Sequence, residues 1–373
     1  MVNIKLSHVF EVKVGLDKFP VVIGSGIFHQ IISFINTYDK KNIFIICDSY
    51  FKTSNNCKVE EISIIKSYNH VFIDGGIESK TLPNYQHILK VLTDKSIARD
   101  GLIVSIGGGV VGDLSAFIAS TYQRGIDLVH IPTTTTAMID SSIGGKTGLN
   151  LFDQVNLIGS YYNPKAIFMD LRFLFSLKKR DFYSGICEAI KMSITSDKEM
   201  FQRYFSIEKL VNSRDIETLE DIVFWAVLTK LKHVSGDFKE KSIRLILNYG
   251  HTFGQAIETY YGLYQDKLKH GESVALGITV AAKLSDLIFN NSDTKELFAK
   301  TKMILKKYNL PTKFNDLNTN DIPTISELTN NISNDKKRIS DGNRFILCES
   351  IGKANIKVLN NKRLIKESYD CLY

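Results

Sequence analysis

Three segments in the second half of the chain carry ionisable groups at spacings that could do chemistry. In SGICEAIK (residues 184–191), Glu188 and Lys191 are three residues apart and share a helix face. In LNYGHTFGQAIE, His251 precedes Gln255 by one helical turn, and in LKHGES, His270 stands just ahead of another helical run. One carboxylate and two imidazoles leave a fourth position open, which is the ligand pattern of a catalytic zinc rather than a structural one. Any one of these histidines alone would serve equally well as a surface or capping residue, so the metal reading rests on the set. Cations gather in and around the same stretches: Lys146 in SIGGKTG, Lys230 and Arg244 flanking GDFKEKSI, and Lys336 in NDKKR. Charge-assisted bonds to phosphate and carboxylate are the strong ones, so together these cations suit a polyanionic ligand.

A second constellation lies in the first half. Gly107-Gly108-Gly109-Val110-Val111-Gly112 follows the apolar run LIVSI and opens a helix near Asp113. It satisfies GxGxxG in its strand–turn–helix setting. Bare glycines let backbone N–H groups approach a pyrophosphate, and the helix N-terminus adds partial positive charge. The plainer alternative is a glycine turn needed only for packing. A standard dinucleotide fold also wants an acid at the end of the next strand, yet DLVHI runs into Pro132-Thr133-Thr134. Asp48, ending the earlier strand NIFIIC, is the better ribose candidate. The pattern therefore predicts a dinucleotide held differently from a standard Rossmann enzyme.

Elements must position these groups. FEVKV, FPVVIG, NIFIICD, HVFID, GLIVSIGGG, DLVHIP and AIFMDL are short β-rich runs, with helical patterns such as LPNYQHILKVLTDKSI and VVGDLSAFIASTY between them. The fully apolar central runs predict a largely parallel sheet covered on both faces. After about residue 175 the periodicity becomes mostly helical, with only RFILCES and ANIKVL reading as strands. The expected fold is an N-terminal Rossmann-like α/β domain over residues 1–175 and a mostly helical domain over residues 176–373. The 373 residues exceed one ordinary core, in keeping with two domains. The net charge of +7 comes from 47 basic and 40 acidic residues spread along the chain, with no basic helix or aromatic RNA-binding motif, so nucleic acid is not the expected partner. No apolar run approaches the roughly 18 residues that cross a bilayer. The five cysteines show no CxxC spacing, which argues against a thiolate metal cage or a disulfide framework. A cytoplasmic protein with no membrane partner is expected.

Taken in order, the segments resemble the 3-dehydroquinate synthase family of sugar phosphate cyclases. The matching motifs are GGGVVGD (107–113), STYQRG (120–125), IPTT (131–134), DSSIGGKT (140–147), NLIG (156–159), GICEAIK (185–191), LNYGHTFG (247–254), HGESVALG (270–277) and DKK (335–337). The resemblance implies conversion of 3-deoxy-arabino-heptulosonate 7-phosphate to 3-dehydroquinate and phosphate, with catalytic NAD and a divalent metal, zinc or cobalt. It implies Glu188, His251 and His270 as metal ligands. It implies a nucleotide site on Gly109, Val110, Val111, Gly112 and Asp113, completed by Gly76, Lys80, Thr133, Thr134, Asp140, Lys146, Phe173, Leu174, Phe175 and Ser176, with Asp48 at the adenosine end. Substrate carboxylate and phosphate fall to Lys146, Asn156, Lys191, Lys230, Arg244, Asn248 and Lys336, and to Arg124 from the partner subunit of a homodimer.

Three positions depart from the family pattern. Gln255 stands where the family's GHTFGH has its last histidine, and glutamine cannot titrate near neutral pH. Gln154-Val155-Asn156 replaces GKN, removing a lysine. Gly76-Ile77-Glu78-Ser79-Lys80 has Ile77 where GExxK has its acid, with Glu78 one residue on. A related cyclase with another sugar phosphate, an NAD- and metal-dependent alcohol or glycerol-phosphate dehydrogenase, and a non-catalytic binding homologue are the alternatives. Arg244, Asn248 and Lys336, being kept, favour the dehydroquinate reading over the first. Intact Glu188, His251, His270, Lys191 and Lys230 speak against the last.

Overall fold

The computed structural model describes residues 8–53, 59–152, 154–262, 267–333 and 343–373, so Lys336 and Cys57 lie outside the described residues. The chain divides into two compact units, the first Met1–Lys178 with Arg214–Lys239 and the second Lys179–Ser213 with Glu240–Tyr373.

The first unit follows the strand–helix alternation of its sequence: β1 (His8–Val14), β2 (Asp17–Gly24), α1 (Phe28–Ile35), β3 (Ile43–Asp48), α2 (Tyr50–Thr53), β4 (Asn69–Ile73), α3 (Leu82–Asp94), β5 (Leu102–Gly107), α4 (Gly109–Thr121), β6 (Asp127–Pro132), β7 (Leu149–Leu151), β8 (Gln154–Ile158) and β9 (Ala166–Asp170). Seven strands form one sheet in the order β1-β2-β9-β6-β5-β3-β4. Only β1 is antiparallel to its neighbour. The apolar runs of β3 and β5 are buried along their length because helices cover both faces of a parallel sheet. Ile88 and Leu92 of α3 and Val111, Leu114 and Ile118 of α4 pack with Phe44, Ile46 and Ile103 in one core. From β3 the chain goes outward to β4 and then returns to β5 on the opposite side of β3. That reversal is a topological switch point, where open α/β sheets bind ligands beyond the carboxyl ends of their strands. Asp48 ends β3 and Gly107 ends β5. The short β7–β8 hairpin is a feature the sequence reading did not anticipate.

The second unit is built from α5 (Lys179–Ser196), α6 (Lys198–Asn212), then, after a return of the chain to the first unit as α7 (Ile216–Gly236), α8 (His251–Tyr261), α9 (His270–Phe289), α10 (Ser292–Lys307), α11 (Ile325–Ser333), the antiparallel β10 (Asn343–Ser350) and β11 (Lys353–Leu359), and α12 (Lys362–Tyr369). Helix α9 is buried over most of its length and packs against α5, α8, α10, α12 and β10. The stretch Arg214–Lys239 groups with the first unit, although its helical periodicity reads like the second half. Its helix, α7, packs on β1 and β2 of the first unit. At its start, Arg214 donates to the carbonyls of Leu174, Phe175 and Leu177. No helix among the described residues is long and apolar enough to cross a membrane.

Candidate active site

In the second unit, three helices bring three ligand candidates together. Glu188 comes from the middle of α5, His251 opens α8 and His270 opens α9. Close helix approach makes this possible. A Cβ on Gly277 of α9 would press on the Gly250 carbonyl and lie 2.6 Å from the Gly254 nitrogen of α8. A Cβ on Gly271 would run into the backbone of Ser184 on α5, whose hydroxyl accepts from the Gly271 N–H at 2.7 Å. Gly250 itself sits at φ +77° just ahead of His251, a left-handed turn that glycine adopts freely.

The side chains converge on one oxygen. His270 Nε2 lies 3.5 Å and His251 Nε2 3.7 Å from Glu188 Oε1. Those separations are too long for good hydrogen bonds, and among the described residues the buried Oε1 has no hydrogen-bond partner. They do suit ligands around an ion, because atoms about 2.0–2.2 Å from a tetrahedral centre stand roughly 3.3–3.6 Å apart. All three ligand atoms lie within 4.8 Å of one another. The other carboxylate oxygen, Oε2, accepts from buried Lys191, one helical turn along α5. On the far side of each ring, His251 Nδ1 is 3.3 Å from the Tyr249 carbonyl and His270 Nδ1 is 2.8 Å from Glu258 Oε1. Burial would raise the Glu188 carboxyl, but Lys191, then His251 and His270, hold it well below the usual carboxylate range. It is therefore an ionised ligand. The donor set fits a divalent metal.

Arg244 and Asn248 share the 3-10 turn Ile243–Asn248 that leads into His251. Arg244 is fully buried. Asn248 Nδ2 donates to Glu240 Oε1 at 2.8 Å. The sequence reading missed Glu240 and Glu258. Glu258 was legible in principle, since it follows His251 by seven residues and so falls on the same face two turns along α8.

In the first unit, the glycine turn fits a pyrophosphate. Gly108 caps α4 without any side-chain cap, which leaves the helix's first N–H groups facing outward. A Cβ on Gly107 would come within 2.6 Å of Val111 Cβ, so the turn must stay bare. The Thr133 N–H donates to the Gly107 carbonyl at 2.9 Å, pinning the turn to the end of β6, and the Thr134 side chain lies over Gly108. Val110, Val111 and Gly112 run on through the first turn of α4 to Asp113, and Lys80 pairs with Asp113. That pair neutralises a carboxylate that would otherwise repel a phosphate at the helix N-terminus. Asn156, expected at the substrate, accepts from Lys80 at 2.5 Å, and the same Lys80 pairs with Asp113.

At the neighbouring strand end, Asp48 lies against Gly75, and the Glu78 carboxylate folds back over Gly76. Burial, and to a lesser extent Asp74, pushes the Asp48 carboxyl above its ordinary value against the Tyr50 N–H. Lys230 of α7 donates to the Asp140 carboxylate at 2.7 Å and also to the Asp140 carbonyl. Phe173, Leu174, Phe175 and Ser176 form a 3-10 turn in which Phe173 and Leu174 are buried. Arg214, a further residue missed in the sequence, holds two of that turn's carbonyls. Arg124 at φ +67° and Lys146 are exposed.

Two family models match along the chain. The one described as 3-dehydroquinate synthase N-terminal covers residues 70–184, and the one described as 3-dehydroquinate synthase C-terminal covers residues 185–338. A 3-dehydroquinate synthase of Prochlorococcus marinus (strain AS9601) is 36% identical over 359 residues, 92% of this chain and 94% of that protein. Another, from Clostridium beijerinckii (strain ATCC 51743 / NCIMB 8052), is 34% identical over 354 residues, 94% of this chain and 97% of its own length. Among solved structures, 2-deoxy-scyllo-inosose synthase complexed with carbaglucose-6-phosphate, NAD+ and Co2+ superposes with a TM-score of 0.80 at 25% identity, covering 97% of this chain and 99% of that one.

Proposed function

The chain belongs to the 3-dehydroquinate synthase family, and from that premise we propose the following reading of its chemistry. It is a carbon–oxygen lyase that converts 3-deoxy-arabino-heptulosonate 7-phosphate to 3-dehydroquinate and phosphate, with NAD and a divalent metal and no net redox change. The observation that carries this reading is the buried Glu188 Oε1, flanked by two imidazole nitrogens and, among the described residues, lacking a hydrogen-bond partner.

When bound, NAD supplies a reversible hydride acceptor, and the metal, zinc or cobalt, a Lewis acid toward the hydroxyl being oxidised. The chain's residues bind and orient. Glu188, His251 and His270 hold the metal, with Lys191 fixing Glu188 Oε2 so that Oε1 faces it. Gly109 through Asp113 receive the pyrophosphate on their N–H groups, with Thr133, Thr134, Asp140, Lys146, Gly76, Lys80 and residues 173–176 completing the nucleotide site. Asp48 lies at the adenosine end, and Glu78, folded over Gly76, stands in for the acid that Ile77 lacks. Lys191, Lys230, Arg244 and Lys336 offset the charges of the substrate's carboxylate and leaving phosphate, and the Asn156 and Asn248 amides add neutral hydrogen bonds. Arg124, exposed on its own chain, reaches the substrate of a partner in a homodimer. Gln255 can donate a hydrogen bond but takes up no proton, so the proton lost from the substrate leaves through the substrate's own phosphate. The protein acts in the cytoplasm, in keeping with five cysteines whose number and spacing do not form a disulfide framework.

The test is phosphate release from 3-deoxy-arabino-heptulosonate 7-phosphate, with and without NAD and a chelator. One phosphate per substrate, no accumulation of NADH and loss of activity on chelation are expected. Accumulating NADH would instead favour a dehydrogenase.

A further inference from the structure

The two imidazoles of the metal site are held in different ways. His251 is 12% exposed and its Nδ1 faces a backbone carbonyl. His270 is 42% exposed, and its ring packs edge-on against that of His251. It is also the first residue of α9, where the positive end of the helix dipole weakens an imidazole as a donor to a cation. Among the described residues, the strong contact on its far side is Glu258 Oε1, 2.8 Å from Nδ1. Glu258 is itself 20% exposed and stands on α8, two turns from His251.

We propose that Glu258 is the positioning residue of the metal site. It accepts the Nδ1–H of His270, which fixes the tautomer with the Nε2 lone pair toward Glu188 Oε1 and holds the ring in that orientation. Its charge offsets the helix terminus and so strengthens His270 as a donor to a cation. With Lys191 paired to Glu188, Glu258 adds a further negative charge next to the position a dication would take. Helix α8 thus contributes twice to the site, with His251 as a ligand and Glu258 as the support for the ligand on α9. An ordinary half-exposed ion pair would contribute little to folding and nothing specific to metal binding.

The inference rests on the metal-site reading, and the experiment separates the two. Co2+ is titrated into the full chain in competition with a chromophoric chelator, and the visible absorption of the bound Co2+ is recorded. The parent should bind one Co2+; failure to bind would sink the metal site itself. Glu258→Ala should raise the Co2+ dissociation constant roughly 10- to 100-fold and shift the absorption bands. Its metal-free thermal midpoint should match the parent, since alanine suits a helix. Glu258→Gln keeps an acceptor oxygen but no charge, so it should keep the parent's spectrum with an intermediate affinity. Parent-like affinity and spectrum in Glu258→Ala would overturn the proposal, as would Glu258→Gln as damaged as Glu258→Ala. An equal drop in metal-free thermal midpoint would reduce Glu258 to a structural role and overturn it too.

Discussion

Gln255 is the residue at which this chain most visibly leaves its family's pattern. It lies one turn after His251 on α8, three residues before Glu258, and an amide there can orient a hydroxyl but cannot take its proton. General-base contributions run at about 10²–10⁴-fold in rate. Gln255→His should therefore raise turnover with 3-deoxy-arabino-heptulosonate 7-phosphate by about tenfold or more, with little change in Co2+ affinity. Steady-state phosphate release at saturating substrate checks it. A turnover equal to or below the parent's would show that the lack of a titrating group at this position does not limit the rate. The departure was legible from residue type alone, because titration near neutral pH belongs to the side chain. Glu258 and Glu240 were not, because their importance lies in the partner each faces, His270 twelve residues along and Asn248 eight along.

At the scale of elements, the metal site depends on how closely α8 and α9 approach. Glycine in the middle of a helix ordinarily costs about 1 kcal/mol relative to alanine, so Gly277→Ala would stabilise a helix that had room for the methyl. Here the methyl would meet the backbone of Gly250 and Gly254, which has no rotamer with which to yield. The variant should instead lose about 1–3 kcal/mol, as overpacked sites do, and bind Co2+ more weakly because His251 and His270 are driven apart. Thermal melting with a Co2+ titration decides between the two signs, and a stabilised variant with parent affinity would show that the helices are not in limiting contact. The elements themselves were largely readable. Alternating and continuous apolar runs located the strands of the seven-stranded sheet and of the β10–β11 pair, because burial on one face or two leaves its period in the sequence. The grouping of α7 was not readable: an amphipathic helix records that it has a buried face, but not which sheet or bundle covers it. The β7–β8 hairpin escaped for the opposite reason, since the residues of β8 are mostly exposed and leave no apolar period.

For the molecule as a whole, the two units can be probed separately by pH. The single tryptophan, Trp225, lies on α7 and so reports on the first unit. So does His130, buried in β6 beside the small cavity behind the glycine turn that Ser105, Gly107, Gly112 and Ser142 line. Burial lowers the His130 pKa from 6.5 to about 4, because an imidazolium there would lose its hydration. Between those values the unfolded chain binds a proton that the folded one does not. Stability from this residue is therefore complete above pH 6.5, falls as pH drops toward 4, and changes no further once both states are protonated. A shift of this size is worth on the order of 3 kcal/mol between pH 7 and pH 4. Urea unfolding followed by Trp225 fluorescence should show that acid-side loss in the parent, while His130→Asn, with nothing to titrate, should show a curve flatter by about the same amount. Carboxylates titrate in the lower part of the window in both proteins, so the difference between the two curves is the quantity to read. Curves that run parallel from pH 7 to pH 4 would mean that His130 reaches water in the folded state, and that the pocket behind the glycine turn is open rather than closed.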